Sequence, residues 1–132
     1  MKVTLDTNVL LSATLWQGSE AQKLLFTLIR AEAEIFTSNE ILLEYQEILA
    51  RDFGYVEKEI EGISDVLASI LTVVNPTRKV VVVKDDPGDN KVIECALESG
   101  SQYIITYDKH LLKLAEFEKV KIVKPSELGL AN

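Results

Sequence analysis

Short runs of β-branched and apolar residues alternate with longer amphipathic stretches along almost the whole chain, and no other feature constrains its fold as strongly. Lys2 to Leu5 is β-prone and breaks at the polar Asp6-Thr7-Asn8, after which Val9-Leu10-Leu11 is apolar and helix-compatible. Beyond a loop at Trp16-Gln17-Gly18, the spacing of Ala21, Leu24, Leu25, Leu28 and Ile29 predicts a helix over Ser19 to Ala31. Ala33 to Thr37 reads as a strand, and Thr37-Ser38-Asn39-Glu40 as a capping box opening a helix that runs to about Asp52. Ile60, Ile63, Val66, Leu67, Ile70 and Leu71 form one stripe on a helix over Tyr55 to Leu71. Val80 to Val83 and Val73-Val74 compete as the next strand. Asp86-Pro87-Gly88-Asp89 starts a further helix, with Pro87 suited to its first turn and Gly100 to its C-terminal cap. Val92, Ile93, Ala96 and Leu97 give that helix its core face. Tyr103 to Thr106 is a strand, Asp108 to Ala115 a short helix, Val120 to Val123 a last strand, and Pro125 to Leu128 a turn.

This alternation implies an α/β fold: a parallel sheet with helices on both faces, joined by right-handed connections. No repeat, low-complexity tract or linker interrupts it, so residues 1–132 read as a single domain. A composition that is 47% hydrophobic and 27% charged suffices for a sizeable core. No apolar run approaches the ~20 residues of a membrane span, and Asp6 and Asn8 interrupt any secretory leader pattern. The single cysteine, Cys95, has no partner for an internal disulfide and reads as a small buried hydrophobe. A cytoplasmic location is the expectation. The net charge of −7 counts against a protein that coats nucleic acid with a basic face. It leaves room for an enzyme that meets phosphate through a bound cation.

Three acids stand where strands pass into helices. Asp6 follows the first strand, Asp89 lies in the first turn of a helix, and Asp108 follows Tyr103 to Thr106. Parallel strands bring all their carboxyl ends to one edge, the edge where open α/β sheets bind ligands. Glu44 lies at the margin of the apolar face formed by Ile41, Leu42, Tyr45, Ile48 and Leu49, from which it can reach back over that edge. Taken singly, each acid has an ordinary explanation: Asp6 and Asp108 as helix caps, Asp89 as a first-turn acid, Glu44 as a solvated side chain. Their conjunction is harder to explain away. Two carboxylates ~5 Å apart repel by about 1 kcal/mol in water and about 3 kcal/mol at an effective dielectric near 20. A cation or protons must neutralise such a group. Oxygen-only donors select hard ions, Mg²⁺ or Mn²⁺. Those ions support hydrolysis of phosphodiesters without a His, Cys or Ser nucleophile.

The segments that carry these acids resemble, in order, the motifs of PIN-domain ribonucleases. Leu5-Asp6-Thr7-Asn8-Val9-Leu10-Leu11-Ser12-Ala13 is similar to the family's opening motif, and Ser38-Asn39-Glu40-Ile41-Leu42-Leu43-Glu44 to its second. Asp86-Pro87-Gly88-Asp89-Asn90-Lys91-Val92-Ile93-Glu94-Cys95-Ala96 is similar to the third, and Ile105-Thr106-Tyr107-Asp108-Lys109-His110-Leu111-Leu112 to the fourth. The resemblance is greatest to the small prokaryotic branch of toxin components of toxin–antitoxin pairs (VapC-like). It implies a three-layer α/β/α sandwich around a five-stranded parallel sheet, a Mg²⁺- or Mn²⁺-dependent endoribonuclease activity, an RNA substrate, an antitoxin partner and a homodimer. It further implies Asp6, Glu44, Asp89 and Asp108 as the metal-site acids. Asn8 would orient a carboxylate or water, and the Thr106 hydroxyl would hold a water of the site.

Tyr107 stands where many relatives carry Gly; its ring packs, narrows the site or stacks a base. Asp86 competes with Asp89 as a ligand, but the Asp89-Asn90 pairing favours Asp89 and leaves Asp86 as the N-cap. His110, the one histidine, reads as an exposed helix position rather than a phosphate contact. Lys109, Lys113, Lys119, Lys121 and Lys124 form a late basic cluster suited to a phosphate backbone or simply to the surface. Trp16 is equally suited to an interface or to the core. A catalytically silent binding module and a structure-specific DNA nuclease are the rival readings. The first has no use for a repulsive acid cluster, and the second needs inserted arches for which 132 residues leave little room.

Overall fold

A computed structural model describes residues 1–128. Its sheet has the strand order β3-β2-β1-β4-β6-β5, formed by β1 (Lys2–Leu5), β2 (Glu34–Ser38), β3 (Thr72–Val74), β4 (Tyr103–Ile105), β5 (Glu116–Phe117) and β6 (Val120–Val123). The expected five parallel strands are present, and only the two-residue β5 runs antiparallel, against β6. Helices α1 (Thr7–Leu15), α2 (Glu20–Arg30), α3 (Asn39–Phe53), α4 (Glu57–Ala68), α5 (Asn90–Ser99) and α6 (Lys109–Leu114) connect the strands. No helix among the described residues is long and apolar enough to cross a membrane.

The core fills as the apolar periodicity requires. Val3 and Leu5 on β1, Ile104 and Ile105 on β4, Ile41, Tyr45 and Leu49 on α3, and Val92, Ile93 and Ala96 on α5 are buried. Cys95 is buried with them, and burial pushes its thiol up to about 11. Helix α5 ends at Gly100 in the left-handed region, φ 68°, as the sequence predicts.

One local expectation is corrected, one open choice is settled and one strand is added, each for a traceable reason. Helix α3 is capped one residue later than the proposed box: Ser38 Oγ accepts from Ile41 N–H at 3.3 Å, Thr37 is buried in β2, and Glu40 pairs with Lys79. Of the two strand candidates, Val73-Val74 is right. The run Val80 to Val83 is not a strand, because side chains of α5 take its backbone donors. Asn90 Oδ1 accepts from Val82 N–H (3.0 Å) and Val83 N–H (2.8 Å), and Glu94 Oε2 accepts from Val80 N–H (3.0 Å). Strand β5 escaped the sequence reading because its hairpin turn, Glu118-Lys119, contains none of the Gly or Asn that positive φ favours. The turn holds φ values of 47° and 75°, and Arg78 grips Glu118 through two hydrogen bonds.

Candidate metal centre

The chain leaves β1 to pair β2 on one side and later returns as β4 on the other, so the strand order switches direction between β1 and β4. Ligand sites of open α/β sheets form at the carboxyl ends of such neighbouring strands. Leu5 is in register with Ile105, and the next residues, Asp6 and Thr106, therefore face each other across the switch. Asp6 N–H donates to Ile105 O at 3.0 Å, which pins the junction.

Asp6 is 4% exposed and Thr106 fully buried. The Thr106 hydroxyl donates to Asp6 Oδ2 at 2.6 Å while accepting from Asp108 N–H at 2.9 Å. Asp6 Oδ1 accepts from Thr7 N–H at 2.7 Å, so this acid is also the cap of α1. Burial nevertheless outweighs these donors and, with Glu44 and Asp108 nearby, pushes Asp6 up to about 6. Asp108 likewise serves two purposes. Its Oδ1 caps α6 by accepting from His110 N–H (2.7 Å) and Leu111 N–H (3.4 Å), and its charge bears on both Asp6 and Asp89.

Asp89 sits in a 3₁₀ turn, Pro87–Asp89, that leads into α5. Burial first, then the charges of Asp6, Asp108 and Asp86, push its carboxyl up to about 8. Among the described residues the buried side-chain polar atoms without a partner are Thr7 Oγ1, Thr37 Oγ1 and Asp89 Oδ2, and only the last belongs to an acid. Buried carboxylate oxygens are ordinarily satisfied. An oxygen with no donor, faced by other acids, fits a cation.

One ligand atom from each of Asp86, Asp89, Asp108 and His110 lies within 4.8 Å of all the others. Two of these residues stand differently from expectation. Asp86 occupies the N-cap position of the turn but makes no capping hydrogen bond, which frees its carboxylate for the group. His110 is half-buried rather than an exposed surface position, with Nδ1 3.6 Å from Asp108 Oδ1. Its spacing two residues beyond Asp108 was the available signal, since that puts both side chains at the start of one helix. Glu44 is at the same edge, close enough to raise Asp6, but its Oε2 is ion-paired with Lys91 Nζ at 3.3 Å. Asn8 Oδ1 accepts from Tyr107 N–H at 3.2 Å, bracing the loop between Thr106 and Asp108 rather than touching a carboxylate. Tyr107 leans toward α2, where Glu20 helps raise its hydroxyl pKa behind the larger effect of burial.

A family model described as PIN domain matches residues 2–110. The chain belongs to the PIN-domain family. This PIN domain is 32% identical over 123 residues to the uncharacterized protein MJ1680 of Methanocaldococcus jannaschii, a span of 90% of this chain and 78% of that protein. Its fold is similar to the crystal structure of VapBC2 from Rickettsia felis bound to a DNA fragment from their promoter. The TM-score there is 0.66 at 16% identity, covering 92% of this chain and 97% of that one. FitAcB from Neisseria gonorrhoeae is similar with a TM-score of 0.59 at 17% identity, covering 96% and 99% of the two chains. At these identities the likeness concerns the fold alone.

Proposed function

We propose that this PIN domain is a Mg²⁺- or Mn²⁺-dependent endoribonuclease. We further propose that it is the cytoplasmic, homodimeric toxin of a toxin–antitoxin pair. The observation that carries the enzymatic part is Asp89: a half-buried acid with a partnerless oxygen, held among Asp6, Asp86 and Asp108 at the switch point of the sheet. Asp89 and Asp108 would hold the cation with Asp6, and Glu44 would join them by exchanging Lys91 for the metal. When bound, the cation would polarise a phosphodiester oxygen and lower the pKa of an attacking water.

The remaining work falls to the protein's own groups. Thr106 aims Asp6 by donating to Oδ2, and Thr7 N–H holds the other oxygen, so the carboxylate cannot rotate out of line. The first N–H groups of α6 fix Asp108 through Oδ1. Asn8 holds the Tyr107 backbone and thereby the spacing between Thr106 and Asp108. Such preorganisation is what a hydrolytic metal site requires of its surrounding groups. Support for a protein partner comes from the likeness in fold to VapBC2 and FitAcB.

The test is cleavage of a mixed RNA panel by the purified protein with Mg²⁺, Mn²⁺ or EDTA, beside Asp6→Ala. Metal-dependent cutting that vanishes in the variant is expected. An Asp6→Ala protein that cuts like the parent would overturn the assignment. If no RNA is cut and Mn²⁺ leaves the melting temperature unchanged, the fold serves as a silent binding module instead, because binding to the native state alone must raise it.

A further inference from the structure

A chain of net charge −7 that cuts RNA must still hold a polyanion. Beside the acid cluster lies a cavity of about 380 Å³, lined by the apolar Val82, Val83 and Leu114 together with Lys84, Asp85, His110 and Lys113. His110 belongs to both places. It forms part of the cavity wall, and one of its ring nitrogens lies within 4.8 Å of ligand atoms of Asp86, Asp89 and Asp108. Cavity and acid cluster are therefore contiguous.

The cations of this cavity, like most lysines among the described residues, are free of carboxylate partners. Arg51, Arg78, Lys79 and Lys91 each pair with a carboxylate, whereas Lys84 and Lys113 have no ion-pair partner among the described residues. They come from different segments, the irregular stretch before α5 and the body of α6, and the fold brings them to one cavity. Of the late lysines, Lys119 and Lys121 line a separate hollow with Gln102 and Tyr103, at the start of β4 and away from the acids. Only Lys113 of that cluster reaches this cavity.

Two ammonium groups and an imidazole outnumber the one carboxylate of the lining, Asp85, and with the apolar side chains they match one nucleotide unit. Ammonium groups bind phosphate oxygens as point charges, while an unstacked base lies against apolar or aromatic surface. The volume lies in the range of small-ligand pockets, roughly 300–1,000 Å³, too small for a duplex. We propose that this cavity is the subsite for the nucleotide adjacent to the cleaved phosphodiester of a single-stranded RNA, with its phosphate on Lys84 and Lys113 and its base against Val82 and Leu114. The proposal deepens the ribonuclease reading and rests on it.

The experiment compares the parent with Lys84→Glu/Lys113→Glu and with a control of equal charge, Lys23→Glu/Lys58→Glu, on the exposed faces of α2 and α4. Binding of a fluorescent single-stranded decaribonucleotide is followed by anisotropy in Ca²⁺ against salt, cleavage in Mn²⁺, and Mn²⁺ binding by calorimetry. The cavity variant is expected to bind the oligonucleotide at least tenfold more weakly, with a salt slope shallower by about 1.4 for two lost phosphate contacts. Its loss of cleavage should fall on KM, with Mn²⁺ affinity retained and the control close to the parent. If the parent cuts RNA but both double variants lose equally, or neither does, the subsite is wrong while the nuclease stands. If the parent binds through these lysines and cuts nothing, the nuclease reading fails and the binding site stands. An oligonucleotide that is neither bound nor cut by the parent overturns both.

Discussion

Asp89 stands at the N-cap of α5 and Glu94 within the same helix, and their surroundings are opposite. Glu94 is 5% exposed, yet its oxygens accept from Val80 N–H at 3.0 Å and from Lys79 Nζ at 3.5 Å. Asp89 is less buried, but its Oδ2 has no donor and its neighbours are other acids. Glu94 organises the segment that crosses it. Asp89 is left with an unmet need that a cation can satisfy. Burial alone therefore does not mark a functional acid; the count of donors around it does.

The largest expected effect separates the two directly. Asp89→Asn keeps the shape of the side chain and removes its charge, so cleavage and calorimetric Mn²⁺ binding should both be lost while the fold persists. Wild-type Mn²⁺ affinity in that variant would show that the cation does not need Asp89. Glu94→Ala should do the reverse. It strands Val80 N–H in the interior and costs about 2 kcal/mol in urea unfolding, with Mn²⁺ affinity of the folded fraction unchanged. Glu94→Gln retains an acceptor and should recover most of that stability. An Ala variant as stable as the parent would mean that the 80–83 segment is not held by this contact.

A smaller effect is expected one layer out. Thr106→Val removes the donor that aims Asp6, and groups of this supporting kind change metal affinity by roughly 10–100-fold. Thr106→Ser should restore it, and a Val variant with parental affinity would reduce Thr106 to a packing residue.

The gentlest effect is on pH dependence. Asp89 and Asp6 are raised to about 8 and about 6 from an ordinary 3.8. The metal-free native state therefore keeps protons that the unfolded chain has already released. Stability falls as pH rises through that window, from about 4 to 6 for Asp6 and on to 8 for Asp89. Saturating Mn²⁺ should cancel the decline, and Asp89→Asn should flatten its upper part. A metal-free protein whose denaturation midpoint climbs steadily from pH 5 to pH 8 would contradict this.

Much of the fold was legible because its signals are local. The apolar spacing of α2 through α5, the break at Asp6 and the stop at Gly100 each depend on neighbours in the chain. Where sequence reading faltered, the deciding partner was distant. Val80 to Val83 has the composition of a strand, and it is diverted by Asn90 and Glu94, whose side chains offer the acceptors a neighbouring strand would have offered. His110 looked like a surface residue because nothing in its own helix discloses that Asp86 and Asp89 approach from another element. Asp6 and Asp108 posed a false choice between cap and site residue: one oxygen of each is engaged by a helix N-terminus, and both acids also stand in the cluster's field.

The sequence by itself determined an alternating α/β chain, the family to which it belongs, and the acids that parallel strands must deliver to one edge. Periodicity and turn chemistry act over a few residues and can be read there. Only the tertiary structure decided which carboxylate lacks a donor, that Glu44 is paired with Lys91, and that Asp86 and His110 stand beside Asp89 and Asp108. Electrostatic need depends on the distances and hydrogen bonds among groups far apart in the chain, and those exist only once it has folded.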